Sequence, residues 1–463
     1  MNYSLFTIII TIFFTCVSVD GCAQGLANQI DKAIKEKGDI SYGLIVTDLE
    51  RNKNIIQVHP NRMFSPASVT KIFLSYFALK KLGSDYVFKT TLYAKGKESN
   101  QKFEGNLSLK FTGDPSFTEE DLYDLLNYLK ENKISYLEGD IVIDDSFFDN
   151  KWTSPGGFSW DDQNFGSYAS PKHTIVINEN RVEASQRART VGRESAVKIN
   201  NPQVLKIKNS VKVTKESKST CPYKSEYMGE NEFHVYGCLA RSQKSTKLNF
   251  ALPDTRKMVV SYISHYLQSN NINFSGKFIF SEARGKVVKV HKSTTLRNML
   301  IKVLKDSNNL YSASLFKTIA AKYTGEPGSD ENGKKLFDEF LVQNGFRKKY
   351  VRIYDGPGES KYNLVSPYEV NKLLNKIYKS KSYFRIFSQS LPRHGVEGTL
   401  KYRKQVKEFS RKLIAKTGTM QKSYVSTIAG YYLAKNKYSF VIMMNGHNLS
   451  YEDVKGLEDK VLK

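Results

Sequence analysis

Five strand-like segments sit at the two ends of this chain, and their placement limits the fold more than anything between them. Tyr42–Leu49 and Ile55–His59 flank the polar turn Glu50–Lys53 near the start. Lys412–Lys416, Val425–Leu433 and Tyr438–Asn445 form a meander near the end, the last two joined at Lys435-Asn436. Two strands from one end and three from the other predict a single antiparallel sheet covered by helices. The first pair is preceded by a short predicted helix, Ile30–Lys37, and followed by a long one. In the long one Ser65-Pro66 reads as an N-cap with proline at the first helical position. Val69, Ile72, Phe73, Tyr76, Phe77 and Leu79 then mark a largely buried helix that runs to Leu82 and stops at Gly83.

Between these ends the texture changes. From about Asp85 to Gly285 the chain shows short alternating segments (Leu107–Phe111, Ile141–Ile143, Thr174–Ile177), Gly-Asp turns and a polar stretch from Ser185 to Ser245. This reads as one or two mainly β domains inserted into the sheet-and-helix body. Helices resume at Thr294–Leu304 and from Asn309 to about Tyr323. A chain of 463 residues exceeds one ordinary core. The expected partition is a leader at 1–23, a first part of the body at 24–85, the insert at 86–285 and the rest of the body at 286–463. The fold class is α/β of the α+β type.

The formal charge is 70 − 46 = +24, and nucleic acid is the reflex partner for so basic a chain. The basic residues are spread out, however, and the densest groups (Lys401–Lys404, Lys206–Lys218) carry neither zinc-finger spacing nor an aromatic RNA-binding pattern, so no nucleic acid is expected. Leu5–Val19 is an apolar run too short to span a membrane comfortably and suited to the core of a signal peptide. Cleavage after Ala23 and a lipoprotein anchor at Cys22 are both open. Cys221 and Cys238 are close enough to pair in an oxidising compartment. The seven histidines are scattered and no C-x-x-C occurs, so no metal is expected.

S-x-x-K, S-x-N and K-T-G together carry the chemistry of penicillin-binding proteins and class A β-lactamases. Alone each is weak. S-x-x-K begins at Ser68, Ser99, Ser195 and Ser314, and S-x-N at Ser269 and Ser307. K-T-G occurs once, at Lys416-Thr417-Gly418. Only Ser68 opens a capped apolar helix, where unpaired N–H groups favour negative charge. Lys71 lies three residues on, on the same face. A serine needs a base before it attacks, and a desolvated lysine beside a second cation can lose its proton near neutral pH. Lys416 is that second cation by this reading. Ser307 and Asn309 fall in the break between two helices and can point one way while Asn308 faces the other. Lys416, Thr417 and Thr419 suit a carboxylate, and Gly418 lets a substrate backbone approach an edge strand. Read one at a time, these are a capping serine, a helix N-cap and a strand end. Their order and placement favour the functional reading.

With these motifs the sequence resembles the D-alanyl-D-alanine carboxypeptidase/endopeptidase family, the low-molecular-mass class C penicillin-binding proteins. The likeness covers most of the chain. It includes Pro66-Ala67-Ser68-Val69-Thr70-Lys71, Thr112-Gly113-Asp114-Pro115, Gly139–Asp144, Asp355-Gly356-Pro357-Gly358, Tyr362–Pro367, Ser390-Leu391-Pro392 and Gly395–Leu400. The 239 residues between Ser68 and Ser307 (307 − 68) match the family's habit of filling that gap with inserted domains. Asn308 and Pro357 depart from the more frequent Asp and Ser, and Lys361 stands where Arg is often found. The resemblance implies a fold built on the penicillin-binding protein/serine β-lactamase-like domain. It also implies an exported, periplasmic hydrolase that forms an acyl-enzyme and needs no cofactor. Ser68 would attack, Lys71 would take its proton, Ser307 would pass a proton to the leaving amine and Asn309 would hold the substrate amide. The backbone N–H groups of Ser68 and Thr419 would form the oxyanion hole. Asp144, Phe148, Lys361 and Gln421 resemble positions that contact a diaminopimelate side chain. Partners implied are peptidoglycan stem peptides and, as covalent inhibitors, β-lactams. Membrane attachment through Cys22 and a homodimer stay open. The rivals are a β-lactamase of the same fold and an inactive wall-binding protein.

Overall fold

The structure is a computed structural model that describes residues 20–155, 170–216, 220–403, 406, 409–420 and 424–462. The apolar run Leu5–Val19 and candidate Gln421 lie outside the described residues. The chain divides into two compact units. The first comprises residues up to Ser84, Leu296–Asn308 and Gly333 onward, and the second Asp85–Thr295 and Asn309–Asn332. No described helix is long and apolar enough to cross a membrane. Mixed sheets and helices with extra domains make this an α/β fold of the expected kind.

The first unit is built on a five-stranded sheet in which the chain ends meet. Its order is Leu413–Met420, Val425–Leu433, Lys437–Asn445, Ser41–Asp48, Lys53–Val58. All pairs are antiparallel, with Ser41 opposite Asn445 and Asp48 opposite Tyr438. In Ser41–Asp48 every residue after the first is buried, so both faces are covered. Tyr42, Leu44, Val46, Phe440 and Ile442 pack in one core with Ile30 and Ile34 of the N-terminal helix and Val454 and Leu457 of the C-terminal helix Tyr451–Leu462. On the other face the helix Pro367–Lys379 is stapled to the sheet: Asn371 donates to Thr47 Oγ1 (2.6 Å), Ser439 donates to Asn371 Oδ1 (2.7 Å) and Tyr431 donates to the Leu374 carbonyl (2.8 Å). The helix Thr70–Leu82 sets Phe73 and Phe77 edge-on against Phe337. It ends at Gly83, whose φ of +82° suits a residue without Cβ.

Three expectations need correction. The N-terminal helix spans Asp20–Lys35 rather than beginning at Ile30, because Ala23, Gln24, Leu26 and Ala27 are good helix formers. Ser65 is not an N-cap: no side chain caps the turn Ala67–Val69 or the helix after it. The strand that begins at Leu413 does not stop near Lys416 but runs to Met420.

The second unit has a core shared by a mixed sheet and two helices, Glu119–Glu131 and Thr255–Ser269. Lys102–Lys110 pairs antiparallel with Lys89–Ser99 and parallel with Tyr136–Glu138 and Ile141–Asp144. Two three-stranded sheets lie in the same unit. Thr174–Ile177 is buried but is not a strand. Its backbone is served by the Asn180 side chain, which donates to Ile175 O (3.1 Å) and accepts from Ile177 N (3.1 Å). Cys221 and Cys238 are disulfide-bonded, with Cα atoms 5.5 Å apart. They close a loop of 17 residues, worth about 3 kcal/mol by the chain-entropy account. Cys221→Ser with Cys238→Ser is therefore expected to lower the melting temperature, by scanning calorimetry, to the same degree as reduction of the wild type. Alkylation of both thiols in non-reduced protein would contradict the pairing.

Candidate active site

The turn that carries Ser68 is held from several sides. Ala67 has φ +45°, a left-handed conformation that an alanine adopts only when its surroundings impose it. The turn Ala67–Val69 leads straight into the helix Thr70–Leu82. The Pro66 carbonyl accepts from Val69 N (3.0 Å) and from Thr427 Oγ1 (2.9 Å), and Ser65 N donates to Asn445 Oδ1 (2.8 Å). Two glycines let neighbouring backbones come close. A Cβ on Gly418 would lie 2.6 Å from Pro66 O and 3.0 Å from Ser68 N, and one on Gly358 would lie 2.1 Å from Ala67 O. Gly418 thus makes room for the turn that carries Ser68. Gly418→Ala is expected to push Ser68 out of line and slow penicillin acylation by at least about tenfold, since misplacement of about 1 Å can cost a hundredfold. A rate within twofold of wild type in a stopped-flow assay would refute this.

Two lysine–serine pairs converge. Lys71 is fully buried and donates to Ser68 Oγ at 2.9 Å and to the Pro357 carbonyl at 2.6 Å. Lys416, also fully buried, donates to Ser307 Oγ at 2.9 Å and to the Thr417 carbonyl at 2.7 Å. Burial, and then the charge of Lys71, hold the Lys416 ammonium well below its ordinary pKa near 10.5. Ser307 follows the helix Leu296–Leu304 and has φ +59°, a second strained residue. Asn308 N donates back to the Lys302 carbonyl (3.1 Å). Asn309 opens the helix Asn309–Thr324, which belongs to the second unit.

The edge of the sheet beside this cluster is half closed. His394 N donates to Leu413 O (3.0 Å) and Ala415 N to Pro392 O (3.1 Å). In an antiparallel strand each residue aims its N–H and C=O to one side, alternating along the chain. Thr417 and Thr419 therefore turn theirs to the same outer edge, past the point where segment 392–394 stops. Thr419 is exposed. Thr417 Oγ1 donates to Thr399 Oγ1 at 2.8 Å. Thr399 was not foreseen as a site residue, although its motif Gly395–Leu400 was noticed. It is carried by the turn Gly398–Leu400, whose Thr399 N donates to the Lys305 carbonyl (3.2 Å).

The remaining candidates are placed as follows. Lys361 is exposed, its ammonium 5.4 Å from the Tyr362 ring centre. Asp144 and Phe148 belong to the second unit. Asp144 is buried, accepting from Ser146 N (3.1 Å), Ser146 Oγ (2.7 Å) and Ala283 N (3.1 Å), with Lys110 at 3.6 Å. Phe148 is buried too, its N–H donating to Thr174 Oγ1 (2.8 Å).

The chain matches the family model described as D-Ala-D-Ala carboxypeptidase 3 (S13) over residues 26–462. It is 30% identical over 417 residues to the D-alanyl-D-alanine carboxypeptidase DacB of Haemophilus influenzae, covering 88% of this chain and 86% of that one. The crystal structure of penicillin-binding protein 4 (dacB) from Haemophilus influenzae superposes with a TM-score of 0.84 at 27% identity, over 94% of this chain and 99% of that one. A second crystal structure of that protein, complexed with a novel β-lactam, gives a TM-score of 0.80 at 26% identity over 94% and 98%.

Proposed function

The chain belongs to the D-Ala-D-Ala carboxypeptidase 3 (S13) family, and on that premise we propose that the two lysine–serine pairs drive its chemistry through an acyl-enzyme on Ser68. It is a hydrolase of peptidoglycan peptides and a penicillin-binding protein inhibited by β-lactams. The observation that carries the residue assignment is the pair of 2.9 Å contacts, Lys71 to Ser68 and Lys416 to Ser307.

Ser68 Oγ attacks the carbonyl that joins two D-Ala units while its proton passes to Lys71. The C–N bond breaks, and Ser307 relays a proton to the leaving amine, giving up its own as it takes one from Lys416 at 2.9 Å; the proton that Lys71 took from Ser68 makes good that loss. Lys416 donates to Ser307 Oγ, so this bond uses an acceptor site there and leaves the Ser307 proton for the amine. Lys416, Thr417 and Thr419 bind the terminal carboxylate, and Asn309 holds the substrate amide. The N–H groups of Ser68 and Thr419 stabilise the oxyanion, a contribution of about 3 kcal/mol per donor in comparable enzymes. Water then attacks the ester and restores the serine. Asp144, Phe148, Lys361 and Gln421 serve the diaminopimelate side chain in this reading.

The periplasm is the proposed compartment. Leu5–Val19 and the Cys221–Cys238 disulfide both support export to an oxidising space. A lipid on Cys22 or pairing with a second copy would add to this reading without changing its chemistry. Digestion of purified monomeric and cross-linked muropeptides, with products weighed, tests the function. Loss of one D-Ala residue from monomers is expected, and cleavage of cross-links measures the endopeptidase share. Both substrates left intact by active-site-titrated protein would contradict the reading.

A further inference from the structure

We propose that the loop Asp355–Asn363 supplies the orienting member of the catalytic group: the Pro357 carbonyl aims the Lys71 amine at Ser68, and Asp355 positions that carbonyl. This rests on the acyl-enzyme reading above and adds a third partner to the serine–lysine pair.

The geometry is local and redundant. Lys71 Nζ lies 2.9 Å from Ser68 Oγ and 2.6 Å from Pro357 O. A neutral amine that is to take the Ser68 proton must present its lone pair to that hydroxyl. Nothing in a four-carbon side chain fixes the rotation of its terminal group. Donation of one N–H to a fixed carbonyl restricts that rotor, as a third group orients the base in other nucleophile–base pairs. A backbone carbonyl suits the task because it accepts from both the neutral amine and the ammonium and cannot itself take the proton.

The carbonyl stays in place because its loop is tied to one buried carboxylate. Asp355 is fully buried. Its Oδ1 accepts from Gly358 N (3.1 Å) and Asn363 Nδ2 (2.5 Å), and its Oδ2 from Glu359 N (2.9 Å) and Ser360 N (3.2 Å). Asn363 Oδ1 accepts from Tyr354 N at 2.7 Å. Gly358, at φ +84°, sits where a Cβ would strike Ala67 O at 2.1 Å, so the loop rests on the nucleophile turn. Four donors around one side chain demand two acceptor oxygens. An asparagine would turn an NH2 toward two donors in either orientation. Asp355 is thus a positioning residue. Its four hydrogen bonds hold the loop, and it acts on Lys71 through the Pro357 peptide.

Rapid-mixing acylation by a chromogenic penicillin separates pre-covalent binding (Kd) from the acylation rate constant. In Asp355→Asn the rate constant is expected to fall by at least about tenfold while Kd stays within about threefold, because the change disturbs the base and not the carboxylate site. Asn363→Ala, which removes one donor and keeps the carboxylate, is expected to fall by about threefold in the same constant. An unchanged rate constant in Asp355→Asn overturns the proposal. So does a matching rise in Kd, the mark of a merely structural role. If Asp355→Asn does not fold, Asn363→Ala decides: a wild-type rate constant overturns the proposal. Wild-type protein that forms no adduct on Ser68 would instead sink the underlying reading.

Discussion

Lys71→Met is expected to lower penicillin acylation and D-Ala-D-Ala peptide hydrolysis by at least about a thousandfold at neutral pH, within the range a positioned base contributes. Methionine has similar length and fills the buried space but offers no lone pair to the serine proton. Lys71 is fully enclosed, with Ser68 Oγ at 2.9 Å and Pro357 O at 2.6 Å, so bulk water has poor access to take over as base. A variant that loses less than tenfold in the acylation rate would show that Lys71 is not the base.

Lys416→Gln is expected to cut kcat/KM on a D-Ala-D-Ala peptide by at least about tenfold, or about 1.4 kcal/mol, and to slow penicillin acylation as well. Glutamine keeps a donor near Ser307 and Thr417 but not the charge that a carboxylate needs. In cross-link cleavage a carboxylate on the leaving diaminopimelate can occupy the same place, so the loss there should be similar. The same substitution should stabilise the protein. The folded pKa of Lys416 lies well below about 10.5, through burial and the Lys71 charge. As pH falls from 10.5 the unfolded chain binds this proton first, so the wild type loses stability until the folded pKa is reached. Glutamine abolishes that slope. The gain in melting temperature of Lys416→Gln should be largest near neutral pH and shrink as pH approaches 10.5. A constant gap, or a variant less stable at pH 7, would contradict the assignment.

Much of this was legible because it is local. The strands Val425–Leu433 and Tyr438–Asn445, the stop at Gly83 and the start of a helix at Asn309 rest on alternation, turn residues and caps, and the structure shows them within a residue. The motif serine was found because it opens an apolar helix. Other features come from distant segments. Ala67 carries no sign of its φ of +45°. That angle is imposed by Thr427, Asn445, Gly358 and Gly418, the nearest of which is 291 residues away in sequence (358 − 67), and it displaced the expected Ser65 cap. Thr399 reaches Thr417 only because its turn is bonded to Lys305. Asp355 was visible in a motif, but its purpose appears only when four donors are seen to converge on it. Parallel pairing of Lys102–Lys110 with Ile141–Asp144 was hidden for the same reason: strand alternation reports a buried face and says nothing of the neighbour.

The central claim is a covalent intermediate on Ser68, and a mass measurement tests it directly. Protein treated with a penicillin, digested with trypsin and fragmented should carry the adduct on the peptide Met63–Lys71, localised to Ser68 rather than Ser65. Ser68→Ala should carry none. An adduct on a peptide bearing Ser99, Ser195 or Ser314, or undiminished labelling of Ser68→Ala, would contradict the account.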